Sequence, residues 1–437
     1  MAFHLVNVTV LTSGAPLRAG MELIIDDAGT ITGLGRDLAT PEGAERVDGG
    51  GALCLPGLVN SHNHSPLMIV RGMVEDRGFA PAYIPNVPQG HWLSDEESLA
   101  LARLGVLEML CAGATTIVDY YRCPEALARA ADELGLRAMV GGRVMDMDTA
   151  ALAEGRFERA PALGEATLRA ALDLVEKWDG HDRIGTILAP HAPDSCSRDM
   201  FVQFRELAER SGKQVHTHLS QSQMEVDQLL AREGMTPTEF LDDLGLLSPD
   251  LIAAHCIFMS DTDIARFGAA GAVVAHAPIG NASFGAAAPI KALHEAGARI
   301  TLCTDTKSAD MFEAMRMAIA SARWRAGMSF DFDAQEVFGW ATVAGAEALK
   351  GHGATGQLRV GDPADLILLD PLAPNLRPVI DGFGVVAHSA SAGNVTDVMV
   401  QGAWLIRDRK PTRVNAAEVV AEAQRVAEGL WARAEAG

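Results

Sequence analysis

The residues able to do metal or proton chemistry are His62 and His64 in NSHNHSP, His191 in APHAP, His216 and His218 in VHTHLS, His255 in AAHC and Asp305 in LCTDT. Two histidines at i and i+2 of a strand project from the same face, so His62 and His64 can converge on one ion. Taken singly, each histidine could equally be a hydrogen-bonded core residue, and an aspartate after a strand is often a helix cap. Neutral imidazoles with one carboxylate suit Zn²⁺ or Fe²⁺ and not Mg²⁺ or Ca²⁺. A catalytic ion of that kind keeps one position open to water and lowers the pKa of that water towards ~7.

Whether these groups meet depends on the elements that carry them. From residue 57 onward, apolar β-rich runs alternate with helical stretches. The strands expected are GLVNS (57–61), TTIVDYY (115–121), RAMVGGRVM (137–145), RIGTILAP (183–190), KQVHTHL (213–219), DLIAAHC (250–256), GAVVAHA (271–277) and RITLCTD (299–305). Helical stretches such as SDEESLALARLGVLEMLCAG separate them, with Ser or Asp at the N-caps. Near-continuous apolar strands alternating with helices specify a parallel sheet covered on both faces. Eight such units make an α/β fold of the (β/α)₈ TIM-barrel class. Active sites in that architecture gather at the C-terminal ends of the strands, where the histidines and Asp305 are expected. Their joint position favours a shared metal site over scattered core histidines.

The barrel is expected over 57–356. Residues 1–56 and 357–412 read as short strands, QLRVGDPADLILLD and VTDVMVQGAWLIRD among them. They are expected to pair as one small β-sandwich module, with a helix over 413–437. A hairpin is expected around Asp27-Ala28-Gly29, and Gly33-Leu34-Gly35 reads as a turn rather than a nucleotide loop, having no third glycine and no following helix.

Composition narrows the functional class. With 437 residues, 48% of them apolar, the chain can bury a large core. A formal charge of −21 repels phosphate backbones and excludes nucleic acid as an expected partner. Six scattered cysteines without a CxxC pair read as reduced and cytoplasmic. The start, MAFHLVNVTVLT, lacks a signal-peptide pattern, and no apolar run is long enough to span a bilayer. The HxE and PCxxC of the cytidine-deaminase fold are missing, as is a GxSxG elbow.

The segments PGLVNSHNH, AGATTIVD, APHAPDSCS, HTHLSQSQMEV, AHC, TDTKSADMFEAMR and GQLRVGDPADLILLD, in that order, resemble the amidohydrolase superfamily along nearly the whole chain. The closest resemblance is to the branch of triazine hydrolases, S-adenosylhomocysteine and methylthioadenosine deaminases and guanine deaminases. It implies metal binding by His62, His64, His218 and Asp305, with Asp305 also the base for the bound water. It implies that His255 polarises that water or the substrate and that His191 contacts the substrate from the opposite wall. TILAPHAP lacks the bridging lysine of two-metal relatives, which favours one ion, zinc before iron.

Several positions depart from the branch. Gln221 stands where it usually has a proton-shuttling Glu, and an amide cannot donate and recover a proton at neutral pH. Phe258 replaces a second histidine. HAPIGNASFG keeps Asn281 and little else of the usual segment. The acidic residue that holds ribose in nucleoside deaminases has no match in GFAPAYIPNVPQGHW. That Pro-rich loop carries Phe79, Tyr83, His91 and Trp92, expected to form either a lid or part of the pocket rim. Gln221, Trp92 and Asn281 are therefore nominated, with His191, as substrate-binding. The function expected is cleavage of a C–N bond (amide, urea, carbamate or substituted heterocycle) in a small neutral molecule by metal-bound hydroxide. The alternative is deamination of a purine, pyrimidine, pterin or triazine ring, and a non-catalytic scaffold is the remote third. A homo-oligomer without membrane association is expected.

Overall fold

A computed structural model describes residues 1–75, 87–88, 93–306, 308–325, 327 and 332–436. Five strands open the chain: β1 (Phe3–Val10), β2 (Arg18–Ile25), β3 (Ile31–Gly35), β4 (Glu45–Asp48) and β5 (Leu53–Pro56). The barrel follows with β6 (Leu58–Asn63), β7 (Ala114–Tyr121), β8 (Arg137–Val144), β9 (Ile184–Thr186), β10 (Ala189–Pro190), β11 (Val215–Leu219), β12 (Leu251–His255), β13 (Val273–His276) and β14 (Arg299–Leu302). All eight runs expected as barrel strands contain strand, the fourth divided into β9 and β10. Helix starts also follow the local chemistry. Ser94, Ser197, Ser222 and Ser260 cap the helices Asp95–Cys111, Arg198–Ser211, Gln223–Glu233 and Asp261–Ala269 by accepting a backbone N–H.

The barrel strands are parallel and form two arcs, β6 to β10 and β11 to β14. Backbone bonds close both seams. At one, Leu188 N donates to Gln214 O (3.0 Å) and His216 N to Leu188 O (2.8 Å). At the other, Asp305 N donates to His62 O (3.1 Å). Side chains reinforce that second seam: Asn60 Nδ2 donates to Thr304 Oγ1 (2.7 Å) and Ser61 Oγ to Leu302 O (2.9 Å). Val59, Val118, Met139, Ile187, Ile252, Ala254, Val273, Ala275 and Cys303 pack in one buried cluster inside the cylinder.

The chain ends meet as expected, but in one continuous nine-stranded sheet. β15 (Leu366–Leu369) runs antiparallel to β5, then β16 (Val395–Val400), β17 (Ala403–Arg407) and β18 (Lys410–Pro411) extend the edge. Two local expectations are corrected. Residues 357–360 are not strand, because β15 begins only at Leu366. Gly33-Leu34-Gly35 is not a turn but the return strand β3, paired with Glu22–Ile24. The turn lies earlier, where Asp26 Oδ1 accepts from Ala28 N (3.0 Å) and Thr30 N (2.9 Å). Gly29 sits there at φ 80°, its α-carbon so close to Gln401 O that a Cβ would come within 2.0 Å. The helix Ala416–Ala436 is held to the barrel side, Trp431 Nε1 donating to Ile69 O (2.9 Å) and Arg433 Nη2 to Glu97 (2.8 Å). No helix among the described residues is long and apolar enough to cross a membrane.

A buried ion pair ties the terminal sheet to the barrel. Arg137 Nε, at the start of β8, lies 2.7 Å from Asp365 Oδ2, and Arg137 Nη1 donates to His352 O (2.9 Å). Asp365 Oδ1 accepts from Gln401 N (2.7 Å). Removing one partner leaves the other charge buried and uncompensated. Asp365→Ala is expected to cost about 3–5 kcal/mol in urea unfolding, and Arg137→Met with Asp365→Leu to recover most of it. A loss below about 1 kcal/mol for the single variant would show that the pair is not structural.

Candidate active site

A same-face pair of histidines still has to face the right way. Val59 pairs with Thr116 and Asn60 with Ile117, but the next matched pair is Asn63 with Asp119. Three steps along β6 against two along β7 place one extra residue, a bulge. Without it, Asn63 would share the inner face of Val59. With it, His62 and His64 turn inward. β11 needs no such device: Val215 and Leu219 pack outward, so His216 and His218 point in. On β12, Ile252 and Ala254 are the inward residues, so His255 has the wrong parity. Its φ of 74° turns the backbone at the strand end. Asp305 is likewise held at φ 62°. Both are left-handed conformations that non-glycine residues adopt at a cost.

The side chains meet at the mouth. His64 Nε2 and His218 Nε2 are 3.2 Å apart, and Asp305 Oδ1 lies 3.5 Å from His62 Nε2 and 3.8 Å from His64 Nε2. Ligand atoms of His62, His64 and His218 all fall within 4.8 Å of one another, as do those of His62, His255 and Asp305. The two sets share His62, and His255 stacks on His218 with ring centroids 5.3 Å apart.

Partners of the other ring nitrogens decide the tautomers. His64 Nδ1 faces Tyr120 O (2.6 Å) and His218 Nδ1 faces His191 O (2.9 Å). A carbonyl only accepts, so both Nδ1 atoms carry the proton and both Nε2 atoms present lone pairs. His62 reaches the same state through a relay. His216 Nδ1 donates to Ile252 O (3.0 Å), which leaves its Nε2 to accept from His62 Nδ1 (2.7 Å). His255 Nδ1 donates to Asn281 Oδ1 (2.9 Å). The Nε2 atoms of His62 and His255 are buried without a hydrogen-bond partner among the described residues. Unpartnered lone pairs aimed at a carboxylate make no sense as a packed core, and fit a divalent cation.

Electrostatics agree with neutral rings. Burial, then the neighbouring His64 and His216, hold His62 well below its ordinary value. Burial brings His64 to about 4, against the opposing pull of Asp305. Burial brings His216 to about 3 and lowers His191 and His218 strongly. Around them, Asp119 accepts from Ser65 N (3.0 Å) and from its hydroxyl, anchoring the chain after His64. Gly280 leaves space for the carboxylate: a Cβ there would stand 2.9 Å from Asp305 Oδ2.

The structure thus brings together His62, His64, His218, His255 and Asp305. His191 is buried beside them, its ring edge-on to His218 at 4.8 Å. Asn281 is buried and spends its oxygen on His255. Gln221 is half-buried, its backbone N–H donating to Glu225 Oε2 (2.8 Å). Phe258 is 37% exposed and faces away from the histidines into an outer groove with Leu230 and Met259. Phe79, Tyr83, His91 and Trp92 lie outside the described residues. Sequence reasoning missed the relay role of His216, visible only as the first half of an HxH. It also missed Tyr120, whose hydroxyl lies 2.8 Å from His218 Nδ1, and Glu225, which clamps the Ser220–Gln221 turn through both backbone N–H groups.

The sequence pattern of the amidohydrolase family matches residues 53–405. A 5'-deoxyadenosine deaminase of Methanosarcina mazei is 31% identical over 420 residues, 94% of either chain. A 5-methylthioadenosine/S-adenosylhomocysteine deaminase of Halobacterium salinarum is 32% identical over 423 residues, 95% of either chain. A zinc-bound adenosine deaminase from Xanthomonas campestris superposes with a TM-score of 0.86 at 26% identity, covering 98% of each chain.

Two outcomes follow from the relay and the buried rings. His216→Phe removes the acceptor that orients His62, and is expected to weaken zinc binding about 10- to 100-fold in a chelator competition. Unchanged affinity would leave His216 a packing residue. The buried imidazoles stay neutral in the fold but take up protons near pH 6.5 when unfolded. Their contribution is whole above that pH and is lost as pH falls from 6.5 towards the value of about 4 for His64. Asp119 and Glu225, raised by burial to about 7 and about 8, act in the opposite sense but are outnumbered. The melting temperature of metal-free protein should therefore fall between pH 6.5 and 4; a flat profile contradicts the neutral rings.

Proposed function

The chain belongs to the amidohydrolase family, and from that premise we propose that it hydrolyses a C–N bond at an sp² carbon of a small molecule. The scissile group is an amide, urea, carbamate or substituted heterocycle. One divalent ion, zinc ahead of iron, is held by His62, His64, His218 and Asp305. The supporting observation is the convergence of three Nε2 lone pairs and a carboxylate, from distant parts of the chain, with every opposing Nδ1 proton already committed elsewhere. An ion bound there supplies a Lewis acid and lowers the pKa of a water towards ~7.

The chain's own groups supply the rest. Asp305 takes the proton of the attacking water at its free carboxylate oxygen and returns it to the leaving nitrogen. His255, its Nδ1 proton fixed on Asn281, presents Nε2 as an acceptor and so orients and polarises that water. His191 walls the substrate opposite. The strained backbone at His255 and Asp305 holds both before substrate arrives, which reduces reorganisation during the reaction. Gln221 hydrogen-bonds the substrate without moving a proton. That favours substrates whose leaving nitrogen is served by Asp305 alone.

A second reading, deamination of an amino-substituted ring, is favoured by deaminases that resemble the chain at over 30% identity, the two described above among them. It requires the ring nitrogen to obtain its proton from somewhere other than residue 221. Under either reading we assign residues 57–356 to the catalytic barrel, and 1–56 with 357–412 to one composite β module. The separate apolar cluster of Leu5, Val8, Leu23, Ile25, Leu366 and Met399 supports that division.

Purified protein is expected to carry one equivalent of metal by elemental analysis and to lose activity on chelation. Asp305→Asn should lower kcat by about 10²- to 10⁴-fold. A protein free of metal, or an Asp305→Asn variant as active as the native chain, would defeat the proposal. Ammonia release and amide cleavage, compared for native protein and Gln221→Glu, separate the readings. Ring deamination gained only in the variant supports the first, and efficient deamination by the native chain supports the second.

A further inference from the structure

Where β11 and β12 end, three residues other than glycine adopt left-handed backbone: Ser220 at φ 49°, His255 at 74° and Cys256 at 52°. Such conformations persist only where their surroundings hold them. These belong to one hydrogen-bonded unit. Cys256 N donates to Leu219 O (3.0 Å), and Ile257 N (3.1 Å) and Phe258 N (2.9 Å) both donate to Ser220 O. The exits of the two strands are thus tied together, His218 two residues before Ser220 and His255 directly before Cys256.

Among the described residues, one side chain holds the N–H side of this unit. Glu225 Oε1 accepts from Ser220 N and Oε2 from Gln221 N, each at 2.8 Å. Glu225 is the third residue of the helix Gln223–Glu233, whose N-cap Ser222 accepts from Glu225 N (3.0 Å). Ser222-x-x-Glu225 has the spacing of a capping box, in which the glutamate returns to the N–H of the N-cap residue itself. Here the carboxylate reaches beyond Ser222 to the two N–H groups before it. That placement is costly. Glu225 is 2% exposed, and burial and the negative charge of Asp194 both raise its proton affinity against the pull of the N–H groups. A glutamate that only capped the helix could stay in solvent, so the buried position is explained by the turn it holds.

Two further polar side chains share this helix face, three and seven residues on. Gln228 Nε2 donates to Leu152 O (2.8 Å), after β8, and Arg232 Nη2 donates to Pro193 O (2.6 Å), after His191. The helix fastens the segments following three barrel strands, and Glu225 is its contact with the turn after His218.

We propose that Glu225 is a positioning residue of the active site: by holding the N–H groups of Ser220 and Gln221 it keeps the left-handed turn that sets His218, Gln221 and, through Ser220 O, the exit of β12 that carries His255. It acts through the backbone and touches neither substrate nor ion. Its consequence for the ion rests on the metal-site reading; the clamp itself rests on backbone geometry alone.

The test compares the full-length native chain with Glu225→Gln, which keeps one acceptor and turns an NH₂ on the other N–H, and Glu225→Met, which keeps none. Amide hydrogen exchange of metal-free protein reads the clamp. Protection of Ser220 and Gln221 is expected to fall about 10- to 100-fold in Glu225→Met and less in Glu225→Gln. Cobalt(II) in place of zinc reads the consequence. Its visible absorption, which reports ligand geometry, is expected to change, and chelator competition to show zinc bound about 10-fold more weakly in Glu225→Met. A residue that merely caps the helix would lower the melting temperature and leave the cobalt spectrum and zinc affinity as in the native chain. That result overturns the proposal, as does unchanged protection at Ser220 and Gln221. Should circular dichroism show Glu225→Met unfolded, Glu225→Gln decides by the same readouts. A native chain that binds neither cobalt nor zinc defeats the metal-site reading instead, while Glu225-dependent protection still supports the clamp.

Discussion

The constraint on which the site depends is the disposal of protons. An imidazole binds a cation only through a lone pair, and a ring in a dry barrel must put its remaining N–H on an acceptor that cannot give it back. Tyr120 O and His191 O do this directly for His64 and His218. For His62 the acceptor is another histidine, itself fixed by Ile252 O. The backbone carbonyls at the ends of the strands thus decide which nitrogen faces the centre of the cluster. Burial enforces the result, because it penalises any protonated ring.

Holding these groups at one point takes strain and close fitting. His255 and Asp305 both adopt left-handed backbone conformations, worth roughly 1–3 kcal/mol each. The β6–β14 seam secures Asp305 from one side through Asn60, Ser61 and Thr304, and Gly280 makes room for its carboxylate from the other. Barrel closure and the placement of Asp305 thus use the same hydrogen bonds. The buried Arg137–Asp365 pair links the barrel to the terminal sheet.

Charge is distributed in two opposite ways. The surface is strongly acidic, which repels polyanions at long range. Near the barrel mouth Arg143 is buried and Arg122 half-buried, and neither has a carboxylate partner among the described residues.

Much of this was legible in the amino-acid order. Apolar runs spaced by capped helices specify eight strands, since period and capping are local properties. His62–x–His64 specifies a shared face, because alternation is intrinsic to a strand. Other features are relations between segments, and no local pattern encodes them. Only the mismatch of β6 against β7 turns His62 and His64 inward. Only the left-handed turn at His255 brings a residue of the wrong parity into the site. The relay role of His216 needs a carbonyl 36 residues away, and the isolation of Arg143 needs the positions of all the carboxylates that do not reach it. Residue types and spacings thus determined what chemistry was available and on which elements. Registers between strands, set by closure of the cylinder, decided which way each group points and which charges remain without partners.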